Sequence, residues 1–153
     1  MSQTQQAAMH LGGDAESLAV ARRSLETVRY QLGLALKNLK NYCTVDGRLS
    51  SGLLDHHQLS CYEVALCAAE LSASEAVCVY AAEAGKEDQL ARDVALVFCA
   101  EAVPSAIQRL LARAGDLGLD RATIIGLYRD KDIETLIEQF GSSVLLAAIG
   151  STV

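Results

Sequence analysis

The chain has 153 residues, a formal net charge of -6 and 51% hydrophobic residues. That length suits about one domain of roughly 100–200 residues, and that apolar share supplies a core, so wholesale disorder is excluded. The acidic balance argues against a nucleic-acid partner, which needs a basic surface to displace counterions from phosphates.

Helix formers recur throughout, with one proline and few aromatics. A β-sandwich would need more β-branched, aromatic and turn residues. The expected fold class is therefore all-α, an antiparallel up-and-down four-helix bundle. Residues 1–13 are polar and Gln-rich, unlike a signal peptide, and are expected to be a flexible leader before one domain over 14–153. No uninterrupted apolar run reaches the roughly 18 residues of a membrane span. No span is expected, and the cytoplasm is the expected location.

The first helix is predicted over Ala15–Tyr42, with Asp14 as N-cap and Glu16 in the first turn. Its apolar residues Leu18, Ala21, Leu25, Val28, Leu32, Ala35, Leu39 and Tyr42 alternate three and four apart, on one stripe. A turn follows over Thr44–Gly52, with Asp46-Gly47 as the breaker. The second helix is predicted over Leu54–Ala84. One stripe holds Leu59, Tyr62, Leu66, Ala69, Ala73, Ala76 and Tyr80, and a second set holds Val64, Ala68, Leu71 and Cys78. A narrow polar strip of Ser60, Glu63, Cys67, Glu70 and Ser74 separates them. Such a helix is expected to be buried from more than one side, and so to be central to the bundle or to an oligomer interface.

Gly85 is the expected C′ residue of that helix. The third helix is predicted over Glu87–Ala114, with a kink at Pro104. Gly115 and Gly118 mark a break, 119–128 a short helix or turn, and Asp130–Ile149 a last helical stretch that Gly141-Ser142-Ser143 can split.

Candidate chemistry is sparse. No Glu-x-x-His step supports a di-iron bundle, and no CxxC pair supports zinc or thiol exchange. The metal expectation is none. The five cysteines read as small core residues in a reducing compartment. Asp55-His56-His57 reads as a cap with exposed imidazoles, because adjacent helical residues point apart. Cys61, four residues after His57, is the one cysteine with a histidine in helical reach. Glu63, Glu70 and Glu101 need partners within apolar helices, with Arg22, Arg29 or Arg92 available.

The order of these pieces resembles the C-terminal helical domain of the acyl-CoA dehydrogenases over residues 15–150. Ala69-Glu70-Leu71 sits where that family has an Ala-Asp-Met-like step, and Ala100-Glu101-Ala102 where it has Ser-Glu-Ala. The Gly115/Gly118 turn is followed by Tyr128-Arg129-Asp130 at the family's distance. The resemblance implies FAD-dependent oxidation of acyl-CoA thioesters, by loss of an α-proton and a β-hydride. It makes Glu138 the candidate base, since burial raises a carboxylate toward the operating range. It makes Arg48, Gly115, Gly118 and Arg129 the candidate cofactor-binding residues. The family's acid-Gly-Thr step is here Glu138-Gln139-Phe140-Gly141, and the turn after the first helix lacks its Phe-Gly step. The family's N-terminal helical and β domains are also absent from these 153 residues. The resemblance thus implies a domain inactive alone, completed by a partner chain or acting as a homo-oligomer, with a dimer expected. The alternative is a bundle for interaction or oligomerisation without flavin.

Overall fold

A computed structural model describes residues 14–85 and 88–151. The predicted leader, residues 1–13, lies outside the described residues. The first helix, α1 (Ala15–Tyr42), has the predicted bounds. Asp14 accepts from the Ser17 backbone N–H at 2.8 Å, filling one of the bonds a helix start leaves open. The three-four stripe is buried from Leu18 to Leu39, while Tyr42 at its end is 44% exposed.

The predicted turn is a small hairpin. β1 (Thr44–Val45) pairs antiparallel with β2 (Arg48–Leu49), Thr44 opposite Leu49. Asp46 and Gly47 both have positive φ, as a two-residue hairpin turn requires. Among the described residues this ribbon is the extent of β-structure.

The predicted second helix is two helices. α2 (Ser51–His56) is capped by Ser50, not by Asp55, and it ends at His57. α3 (Gln58–Glu83) then runs to Gly85, whose φ of 83° is the left-handed C′ geometry expected there. α4 (Gln89–Ala112) is capped by Asp88 and passes through Pro104 as one helix. α5 (Arg121–Gly126) and a 3₁₀ turn (Leu127–Arg129) occupy the short-helix region. The last stretch divides at Gly141 into α6 (Lys131–Phe140) and α7 (Ser143–Gly150).

The molecule is all-α in its layers, with helices packed on helices. α3 and α4 form an antiparallel pair, α1 lies against both, and α6 packs on α1 and α4. Leu25, Leu32, Leu71, Leu96, Ile107 and Leu136 are among the fully buried side chains of this core.

Within the single chain α3 is buried from one side, so it is not central to the bundle. Its core face is the strip that reads as polar: Ser60, Cys67 and Ser74, with Val64, Leu71, Cys78 and Ala81. The stripe that reads as apolar faces outward. Leu59 is 64% exposed, Tyr62 60% and Tyr80 63%. Ala69, Ala73 and Ala76 are exposed with them, and Leu66 is half-buried. The buried Ser74 hydroxyl donates to the Glu70 carbonyl at 2.8 Å, so a serine serves as a small, satisfied core residue. Its small size lets α4 approach closely.

The expectation that no segment is apolar enough to span a membrane needs correction. α3 and α4 are each long and apolar enough to cross a membrane, by length and composition. Requiring an unbroken apolar run misses them, because isolated charges interrupt both. About a third of α3's most apolar window is buried within the bundle and about half of α4's.

Candidate functional site

The charged residues inside the apolar helices resolve into one inter-helix cluster. Glu63 and Glu70 are seven residues apart, two turns along one side of α3. Arg109 on α4 donates to Glu63 Oε2 at 2.8 Å and to Glu70 Oε1 at 3.4 Å. Ser105, one turn before Arg109, donates to the other Glu70 oxygen at 3.1 Å. The Glu63 hydrogen bond holds the Arg109 guanidinium further toward its charged form. Both carboxylates are thus engaged by one cation, and the cluster straps α3 to α4. Arg29 pairs instead with Glu75, and Arg22 donates to the Cys78 carbonyl. Arg109 as the partner of both acids is absent from the sequence-level expectation. Glu101 is exposed.

All five cysteines are free thiols. Burial pushes the Cys67 thiol up to about 12, and burial also raises Cys61, with Cys43 adding to it. Neither is an activated nucleophile, which needs a lowered pKa. His57 stacks on Tyr42 with ring centroids 6.0 Å apart, and His56 Nδ1 lies 2.8 Å from the Gly52 carbonyl. Among the described residues no group of three His, Cys, Asp or Glu side chains is placed to hold a metal ion.

The residues singled out for flavin chemistry fall into separate places. Gly115 and Gly118 share the turn after α4. Gly118 has φ 61°, and a Cβ there would collide with the Tyr42 hydroxyl and crowd Asn38. Asn38 Nδ2 donates to the Leu117 and Gly118 carbonyls at 3.0 and 3.2 Å. The glycine is accounted for by this docking onto α1. Arg48 is exposed on β2, just beyond the same end of α1. Arg129 is exposed in the 3₁₀ turn, and Asp130 caps α6 by accepting from the Asp132 and Ile133 N–H groups.

Glu138 is exposed near the end of α6. The start of α6 is pinned by Arg23 Nε, which donates to Asp132 at 2.8 Å. Arg23 and Asn38 are about 22 Å apart along α1 at 1.5 Å per residue, and Glu138 is about 9 Å past Asp132. The candidate base and the glycine turn are thus tied to different stretches of α1, Glu138 through the Arg23 contact and the turn through Asn38. Arg48, Gly115 and Gly118 gather near the end of α1, and Glu138 is carried on α6.

An open cleft of about 730 Å³ lies at the opposite end, where the start of α1 meets the end of α3 and the start of α4. Leu18, Ala81, Arg22 and Arg92 line it, and none of the five flavin candidates does. No protein-family model matches the sequence, and a comparison with curated proteins finds none similar to it.

Proposed function

We propose that this chain is a helical oligomerisation domain of the acyl-CoA dehydrogenase C-terminal type. In this reading α1, α3, α4 and α6 make an up-and-down four-helix bundle in the cytoplasm, and the working surface is the outward face of α3. The observation that carries it is the outward stripe Leu59, Tyr62, Leu66, Ala69, Ala73, Ala76 and Tyr80, exposed except for the half-buried Leu66 and stepping three and four without a break. That spacing is the seam of a helix made to pack on another helix. The three alanines permit close approach at its middle, and the two tyrosines supply large area at low entropy cost.

A second copy is the fitting occupant. The exposed parts of these side chains amount to roughly 500–600 Å² on one copy, taking about 150–250 Å² per aromatic ring. Two copies would bury roughly 1,000–1,200 Å² together, at the size where specific interfaces begin. Size-exclusion chromatography with light scattering tests this on the unmodified chain and on Tyr62→Glu/Tyr80→Glu. The reading requires a dimer that the double variant converts to a folded monomer. A monomeric wild type, or one that partitions into lipid vesicles instead of pairing, overturns it.

A second reading adds chemistry: the domain contributes part of an FAD and acyl-CoA site that further domains or a partner chain complete. It is favoured by the convergence of the Arg48 hairpin and the Gly115/Gly118 turn on the end of α1. Titration with FAD, followed by flavin fluorescence with and without an acyl-CoA, tests it. Saturable binding that Arg48→Ala weakens supports this reading, and no binding in the presence of the completing chain removes it. Unchanged turnover of Glu138→Gln in that assembly takes Glu138 out of the mechanism.

A further inference from the structure

Cys78 on α3 and Cys99 on α4 face each other across the helix pair with their sulfurs 3.4 Å apart. They are 21 positions apart in sequence, and both are buried. Two thiols at this separation are in hydrogen-bonding contact, and a disulfide requires about 2.05 Å between sulfurs. The difference of about 1.4 Å has to be closed by rotation of the two side chains about their Cα–Cβ bonds. A second feature singles out Cys78. A crevice of about 200 Å³ between α1 and α3 reaches it, walled by Arg22, Leu25 and Glu75. That volume admits a molecule of water's size, whose share of liquid is about 30 Å³. Arg22 sits at this crevice and donates to the Cys78 carbonyl at 3.2 Å.

We infer that Cys78 and Cys99 form a reversible, hydroperoxide-sensitive thiol pair that locks α3 to α4 when oxidised. The Cys78 thiolate attacks one peroxide oxygen. An S–O bond forms, the O–O bond breaks, and the departing oxygen takes up the proton that the Cys78 thiol released, leaving as water or an alcohol. The Cys99 thiol then attacks the sulfenic sulfur. The S–S bond forms, the S–O bond breaks, and the hydroxyl departs as water with the Cys99 proton. Two thiols and one hydroperoxide become one disulfide, one water, and a second water or an alcohol. The division of roles follows the surroundings. The hydrogen bond from Cys99, with Arg22 adding to it, holds the Cys78 thiol below its ordinary range against the effect of burial. Cys99 is held above its ordinary range by the same hydrogen bond and by burial.

Cys61 is the control site. It is the one cysteine of the five that is partly exposed, and it lies elsewhere on α3. The test treats the reduced, purified chain with hydrogen peroxide, then denatures, alkylates and maps it without reductant. The inference requires loss of two of the five alkylatable thiols, a linked peptide joining Cys78 to Cys99, and reversal by a dithiol. In Cys99→Ser the cross-link vanishes, and Cys78 is captured as a sulfenic acid by dimedone. Should Cys99→Ser not fold, the wild-type peptide map alone decides. Oxidation confined to Cys61, or five alkylatable thiols after peroxide that fully converts glutathione, overturns the inference.

Discussion

Replacing Ser74 and its neighbour Ala73 by aspartate tests which side of α3 is the core. Ser74 has no exposed surface, and its hydroxyl is satisfied by the Glu70 carbonyl. The Cys99 thiol approaches the Ser74 carbonyl at 3.9 Å, so α4 covers this position. A carboxylate placed there is buried beside the Cys99 thiol, and no ion pair among the described residues involves this position. An uncompensated buried charge of this kind costs about 3–5 kcal/mol. That is a large part of the roughly 5–15 kcal/mol by which a domain is stable. Ala73 is exposed on the outward stripe. In the monomer, aspartate there loses only helix propensity, about 0.7 kcal/mol or less. Urea titrations followed by far-UV circular dichroism, at the lowest workable protein concentration, give both values. Ser74→Asp is expected to lower the midpoint severely or prevent folding, and Ala73→Asp to shift it slightly. Equal tolerance of the two changes would refute the described rotation of α3.

Arg109→Ala should destabilise the bundle by about 1–2 kcal/mol, because the half-exposed setting discounts its two charged hydrogen bonds. A double-mutant cycle with Glu63→Gln should show the larger share of the coupling, since that contact is the shorter. Gly118→Ala should cost about 1–3 kcal/mol from the left-handed backbone and the collision with Tyr42, read as a fall in Tm. Gly115→Ala, with open space around its Cβ, should be nearly silent. The Arg23 hydrogen bond lowers the Asp132 carboxyl from its usual value. Its contribution is therefore present above the unfolded carboxyl value of about 3.9 and is lost as pH falls through the lower folded value. Arg23→Ala should flatten that acid-side loss in a pH series of unfolding midpoints.

The all-α class and α1 were legible because one stripe of large apolar residues alternated with charges, and burial followed it from Leu18 to Leu39. The phase of α3 was not legible. Apolar residues lie on nearly every side of it, so periodicity offers no single answer, and close packing against α4 selected the smaller Ser74 and Cys78 over Tyr62 and Tyr80. The break at His57 has no glycine or proline to announce it. Arg109 as partner of Glu63 and Glu70 depends on the register of α3 against α4, which spacing within either helix does not encode. The same register brings Cys78 to Cys99. For the candidate site, Gly118 was legible as a turn residue, and its neighbours Asn38 and Tyr42 were not, being about 80 positions away in sequence. The placement of α6, which carries Glu138, depends on its contact with Arg23, between residues 109 positions apart.

The most direct test of self-association through α3 is cross-linking at Ala69, near the middle of the outward stripe. An Ala69→Cys substitution meets its own copy in a parallel pair, and in an antiparallel pair centred on the middle of the stripe. An identical substitution at the exposed Glu134 on α6 serves as the reference. Under mild oxidation, the account predicts a covalent dimer from Ala69→Cys, suppressed when Tyr62→Glu is added, and no such product from Glu134→Cys. Equal cross-linking at the two sites, or none at Ala69, would contradict it.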